Sequence, residues 1–303
     1  MSKRIFYASH GVSIDGTSVQ GAQSVAVNTN FNLEQVFQLG RLAIYDNIAS
    51  DPDVEITLSK ALDGHSSIWG LFALAGDKSL VGNAEKQSTI VLGVGQETDD
   101  ALTSMTSAIT MTGCYVSSLN YTFPVDGDFI EEVTFVGSHK QAGGTVSAPS
   151  ADPSPKILRR QNFEGGNLPA AVTGKRISNI TVSADLGREK MFALGELSPF
   201  HRFVNFPLEV TISFDVIQDG NSGTSLVGPH FDEIHVACSG APITTEPITL
   251  AFCDSTGATT YSFNFGNKCS LQSVSYSGGD TGGGNVTETY TYITYNDFTL
   301  TDS

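Results

Sequence analysis

A long internal echo constrains this chain more than any other feature of its sequence. Sliding the sequence by 155 residues brings Val25 onto Ile180, Val27 onto Val182 and Glu34 onto Glu189. The match continues with Phe37 on Phe192, Leu39 on Leu194, Gly40 on Gly195, Leu42 on Leu197, Tyr45 on Phe200 and Pro52 on Pro207. Omitting Asp53 changes the offset to 154 and lays VEITLS (54–59) on LEVTIS (208–213). Far downstream the offset of 155 returns: Cys114 meets Cys269, Val116 meets Leu271, Ser118 meets Ser273 and Tyr121 meets Tyr276. Two blocks in the same order, at nearly the same offset, indicate a tandem duplication. Shared strand alternation alone would not reproduce L-G-x-L followed by a proline twelve residues after the glycine.

The expected organisation is one copy over 1–138, a linker or arm over 139–172 and a second copy over 173–303. The segment 137–170 is rich in Gly, Ala, Ser and Pro, and Pro149, Pro153 and Pro155 interrupt regular structure there. Each copy reads as mainly β. Val25, Val27, Thr29, Phe31 and Leu33 alternate with polar neighbours, as on a half-buried strand. Residues 54–62, 88–94, 208–217, 247–253 and 260–265 are β-branched or aromatic runs of strand length. CSLQSVSYS and VTETYTYITY flank the glycine-rich GGDTGGGN as a hairpin, and CYVSSLNYTF pairs similarly with FIEEVTFVG. Helix is expected at 67–76 and 99–109, with a turn near 229–236. The predicted architecture is two tandem β-sandwich or barrel domains, each with a short helix.

No apolar run approaches the roughly 20 residues of a membrane span, and the first residues carry no apolar signal-peptide core. The expected setting is therefore a reducing cytoplasm. There Cys114, Cys238, Cys253 and Cys269, none in a CxxC pair, remain free thiols, and the three N-x-[ST] sites are coincidental. The net charge is −16 and is spread evenly. Residues 1–150 hold 7 basic and 16 acidic residues (−9), and residues 151–303 hold 9 and 16 (−7). A surface of that sign does not grip nucleic acid, which requires clustered Lys and Arg.

Motifs for chemistry are weak. GGDTGGGN lacks the lysine of a phosphate loop, and GVGQET (93–98) holds half of a dinucleotide fingerprint. His230 and His235 are five apart, where a helical zinc pair needs four. Asp126, Asp128, Glu131 and Glu132 form an acidic turn without full calcium-loop spacing. No G-x-S-x-G elbow is present. Neither acidic nor histidine cluster recurs in the other copy, so the repeated constraint falls on shape and contacts. No catalytic residue, metal ligand or cofactor is predicted.

The segments QSVAV…EQVFQLGRLAIYDNI…VEITLS and ISNITVSADLGREKMFALGELSPFHRFVNFPLEVTIS resemble the tail tube proteins of tailed bacteriophages. CSLQSVSYSGGDTGGGNVTETYTYITYNDF looks like the closing hairpin of such proteins. The first copy departs from the pattern in IYDNIASDPD. The resemblance implies a non-enzymatic virion protein, assembled in a host cytoplasm. Its sheets would join into a ring around a lumen, and the rings would stack into a tube through which DNA is ejected without specific binding. Such tubes are commonly hexameric, so a duplicated subunit would close as a trimer of six similar domains. Implied partners are further copies of the chain, a tape-measure protein, a terminator, baseplate proteins and a sheath in contractile tails. Membranes are not among them. The evenly acidic balance would let DNA slide past a repelling lumen.

On this reading the segments 41–52 and 196–207 are ring-stacking loops. Gly40 and Gly195 end one strand. Leu42, Leu197, Tyr45, Phe200, Phe203 and Phe206 supply apolar contacts, and Pro52 and Pro207 set the return into the next strand. The rival readings are another virion β-sandwich component (terminator, baseplate hub or capsid decoration), a carbohydrate-binding or adhesin module, and a hydrolase on a β scaffold.

Overall fold

In the computed structural model the described residues are 10–95, 105–149, 156–217, 245–254, 256–278 and 285–302. Alternating apolar residues set strands along most of the described residues. The first are β1 (His10–Ile14), β2 (Thr17–Ser18), β3 (Ala22–Asn30), β4 (Leu33–Phe37), β5 (Ile44–Ala49) and β6 (Asp53–Ala61). A short helix α1 (Ile68–Phe72) precedes β7 (Ser88–Gly95), the long β8 (Met105–Pro124), β9 (Ile130–Gly137) and β10 (His139–Ala142). After a 3-10 turn at Arg160–Asn162 come β11 (Phe163–Asn167), β12 (Arg176–Asp185), β13 (Arg188–Met191), β14 (His201–Val204) and β15 (Glu209–Ile217). The chain ends with β16 (Thr249–Cys253), β17 (Thr259–Asn264), β18 (Ser270–Ser277), β19 (Thr287–Tyr295) and β20 (Thr299–Asp302).

The mainly β expectation holds. Two antiparallel four-strand blocks, β3-β6-β9-β8 and β12-β15-β19-β18, have the same strand order. They also share their irregularities. The β3–β6 register shifts between Ala22 and Ser24, and the β12–β15 register between Ile177 and Asn179. The β8–β9 register shifts between Val116 and Ser118, and the β18–β19 register between Leu271 and Ser273. Both bulge positions coincide after a shift of 155 residues, which is a stricter match than strand order because a bulge adds one residue at one place. The registers correct one detail of the sequence alignment. Val54 corresponds to Val210, two residues beyond Leu208, so the offset in this strand is 156 rather than 154.

The blocks join edge to edge. Strand β8 lies antiparallel to β12 through seven pairs, from Pro124 with Asn179 to Ser118 with Asp185, giving one continuous eight-strand run. One face of that run is buried, with Ile56, Leu58, Val133, Phe135, Leu119, Tyr121, Ile180, Val182, Val210, Ile212, Tyr290 and Tyr292 in a single core. A four-strand sheet, β11-β16-β17-β20, covers it. At the joint Phe252 from this sheet stacks on Phe123 and Phe263 meets Tyr121 edge to face, with ring centroids 4.6 and 4.8 Å apart.

Four local expectations change. Helix over 67–76 contracts to α1, capped by the Ser67 hydroxyl accepting from the Gly70 N–H. In the segment 99–109, residues 105–109 belong to β8, where pairing with β7 overrides helical propensity; residues 99–104 lie outside the described residues. The segment expected as an irregular linker carries β10 on β8 and β11 on β16, and Leu158 is buried with its N–H donating to Leu62. Glu131 is not part of a surface acidic turn. It is buried, accepting from the N–H groups of Ile68 and Trp69 and from the Tyr121 hydroxyl. Asp126 and Asp128 pair instead with Arg160 and Arg159. The histidine pair at 230 and 235, the turn near 229–236, Cys238, residues 96–98 of GVGQET and the centre of GGDTGGGN lie outside the described residues.

Candidate assembly surfaces

Both ends of the eight-strand run are open among the described residues. Strand β3 pairs only with β6, and β18 pairs only with β19. Their strand partners inside the chain define what the open edges lack. At the β8–β12 joint, Leu119, Tyr121, Ile180 and Val182 are buried. Their counterparts on the open edges are Val274 and Tyr276 on β18 and Val25 and Val27 on β3. Tyr121 is 0% exposed, whereas Tyr276 is 53% exposed. The open edge β3 is therefore equivalent to β12, and the open edge β18 is equivalent to β8. The two strands that would make a second such joint lie at opposite ends of one molecule.

Between the first and second strands of each block the chain leaves the sheet as a hairpin arm. The first arm is the β4–β5 pair and the second is the β13–β14 pair. Their registers match over four pairs: Leu33 opposite Ala49 corresponds to Arg188 opposite Val204, and Gln35 opposite Asn47 to Lys190 opposite Arg202. Gly40 (φ +86°) and Gly195 (φ +94°) both take left-handed conformations in the tips, which glycine adopts without steric cost. They lie in the turns rather than at the end of a core strand.

The tips are apolar and open. Leu39, Leu42 and Leu194 are essentially fully exposed, at 103, 102 and 107%. Tyr45, Leu197, Phe200 and Phe206 are also exposed, while Phe203 is half-buried. Phe31, Phe37, Ile44, Ile48 and Phe192 add to the exposed set, although the sequence named none of them as a contact residue and placed Phe31 on a half-buried strand. Exposed apolar side chains are thus concentrated on the two arms. Pro52 lies one residue before β6, and Pro207 two residues before β15.

The arms differ at their bases. The second arm is anchored to the first block. Lys190 Nζ donates to Asp51 and Asp53 at 2.9 and 2.7 Å. Arg202 Nη2 donates to Asp53 and to the Ser138 hydroxyl, both at 2.8 Å. Arg188 Nε donates to the Val116 carbonyl at 2.7 Å, and its guanidinium lies 4.9 Å from the Tyr115 ring centre. His201 meets Glu85 at 2.8 Å. Burial raises the Asp53 pKa, but hydrogen bonds from Lys190, Arg202 and Asn32 outweigh it and hold the carboxyl below its ordinary value. Every residue of β4 and β5, by contrast, is exposed.

The other face of the eight-strand run carries Thr57, Ser59, Thr134, Ser118, Asn120, Thr122, Thr181, Ser183, Thr211 and Ser213 between the core positions. Its charged residues in mid-strand are carboxylates: Glu55, Glu132 and Asp215. Glu209, Asp185 and Arg176 sit at strand ends.

No family model and no curated protein matches the chain. Among solved structures, it is similar to a chain in the cryo-EM structure of the anti-feeding prophage cap, the AFP tube terminating cap. The identity is 12% and the TM-score 0.37, over 48% of this chain and 94% of that chain.

Proposed function

We propose that this chain is a structural component of a phage-type tail that closes into rings and stacks them into a tube. The two blocks are read as tandem copies of one domain. The observation that carries the reading is the β8–β12 joint. It joins the last strand of one block to the first strand of the next, and the chain leaves the same two kinds of strand open at its ends. Repeating the joint between molecules pairs β18 of one chain with β3 of the next. That interface is head-to-tail, so it closes into a ring when the rotation per block divides a full turn. Six blocks, as in the tail tubes the sequence resembles, require three chains. Closure also removes the exposed edges that otherwise invite aggregation.

The polar, carboxylate-bearing face of the sheet would then line the lumen. Its charge would repel phosphate and let DNA pass without adhering during ejection. The apolar arm tips would reach the adjacent ring. Tape-measure, terminator and baseplate proteins, and a sheath in a contractile tail, would be the heterologous partners, with the virion tail as the location. The reading assigns no catalytic step and no cofactor.

The β8–β12 register predicts the new one. Tyr121 faces Val182 in the chain, so Tyr276 would face Val27 of the neighbour. Directly opposed strand residues lie about 4.5–5.5 Å apart at Cα, within disulfide reach. The double variant Val27→Cys, Tyr276→Cys should form intermolecular disulfides under mild oxidation, ending at a closed three-chain species. Absence of cross-links beyond the wild-type background, at concentrations well above assembly, would overturn the reading.

A further inference from the structure

We propose that the base of the first arm docks on the second block of the neighbouring chain, in the position the second arm takes on the first block of its own chain. The proposal rests on the head-to-tail ring, and its occupant is a second copy of this chain. The two arms are the same hairpin in register, and they leave corresponding places in their blocks. Only one has a neighbouring block to lean on within the molecule. The second arm crosses the β8–β12 joint and is received by the first block: by Asp53 at the start of β6, by Gly137 at the end of β9 and Ser138 just after it, and by Val116 on β8. The first arm emerges beside the open edge β3, where no block follows. That accounts for the exposure of all eleven of its strand residues.

The correspondence identifies the receiving residues. Asp53 maps to Glu209, Ser138 to Tyr295 and Val116 to Leu271. Glu209 and Tyr295 are exposed and touch each other, with the Tyr295 hydroxyl 3.3 Å from Glu209 Oε2. The docking residues map as Arg202 to Asn47, Lys190 to Gln35 and Arg188 to Leu33. Within the chain the joint pairs cations with carboxylates; between chains it would hold no cation, with Glu209 as its charged group and Leu33 adding apolar contact. The Asn47 amide would donate to Glu209, and Leu33 would cover Leu271 and the Tyr295 ring. A weaker joint without an ion pair suits a contact that must form between separate molecules, because neither side carries an unpaired cation while alone.

The test is a charge swap at the arm base, away from the apolar tip. Asn47→Glu places a carboxylate against Glu209 and should raise the concentration needed for ring formation about five-fold in sedimentation velocity. Adding Glu209→Lys should restore it. Asn47→Arg alone, which rebuilds the Arg202–Asp53 pair, should lower it by a similar factor. If the Val27–Tyr276 cross-link forms but all three variants assemble like wild type, the docking is wrong and the ring stands. If the cross-link itself is absent, both are wrong.

Discussion

Tyr276→Ala isolates the energy of the proposed edge joint. Tyr276 is 53% exposed, whereas Tyr121, at the equivalent position in the existing joint, is 0% exposed. A buried tyrosine covers about 150–250 Å², so closing the ring would cover about 100 Å² more on this side chain. At ~25 cal/mol per Å² that is about 2.5 kcal/mol, nearer 2 because the hydroxyl is polar. Each joint should therefore weaken about 30-fold. The monomer loses only an exposed ring at a sheet edge, so its thermal midpoint should barely move. Sedimentation velocity across a concentration series reads the ring-to-monomer boundary, and circular dichroism checks the fold. Unchanged assembly from a folded variant would refute the pairing of β18 with β3. Val27→Asp, on the opposite strand, should reproduce the defect.

Replacing Leu39, Leu42, Leu194 and Leu197 by Ser removes exposed side chains only. Rings should persist with monomer stability within about 0.5 kcal/mol, while electron microscopy should find no tubes. Asp53 has a lowered folded pKa, so its contribution is complete above the reference value of 3.8 and is lost as pH falls through the folded value below it. Hydrogen exchange at β13 and β14 should accordingly accelerate only in strong acid for wild type, but already at neutral pH for Lys190→Ala. Glu131→Gln should destabilise the fold by about 1–3 kcal/mol in denaturant unfolding. The carboxylate accepts from Ile68 N–H on one oxygen and from Trp69 N–H and Tyr121 on the other, and an amide nitrogen cannot replace an oxygen facing an N–H.

Much of the sheet was legible because its strands keep strict alternation: β6 and β15 show buried residues at every second position. The same periodicity explains the misplaced offset. Moving VEITLS by two residues leaves every side chain on its own face, so the pattern cannot distinguish an offset of 154 from one of 156; hydrogen-bond register can. The arms were located but read as loops, because their apolar residues crowd the tips instead of alternating about a core. Residues 105–109 looked helical from local composition, yet β7 supplies a partner from a distance that no local window contains. Glu131 was misread for a similar reason. Its role is set by the N-terminus of a helix some 60 residues earlier, and adjacent acidic residues gave it the look of a surface turn. The edge-to-edge joint is a long-range pairing, for which the echo in the sequence gave only the hint that two similar units would meet.

Electron microscopy of the purified chain tests the central claim most directly. The account predicts hollow rings of three chains with six similar lobes, stacking into uniform tubes as concentration rises. A population that remains dispersed single chains, or that forms compact oligomers without a central channel, would contradict it.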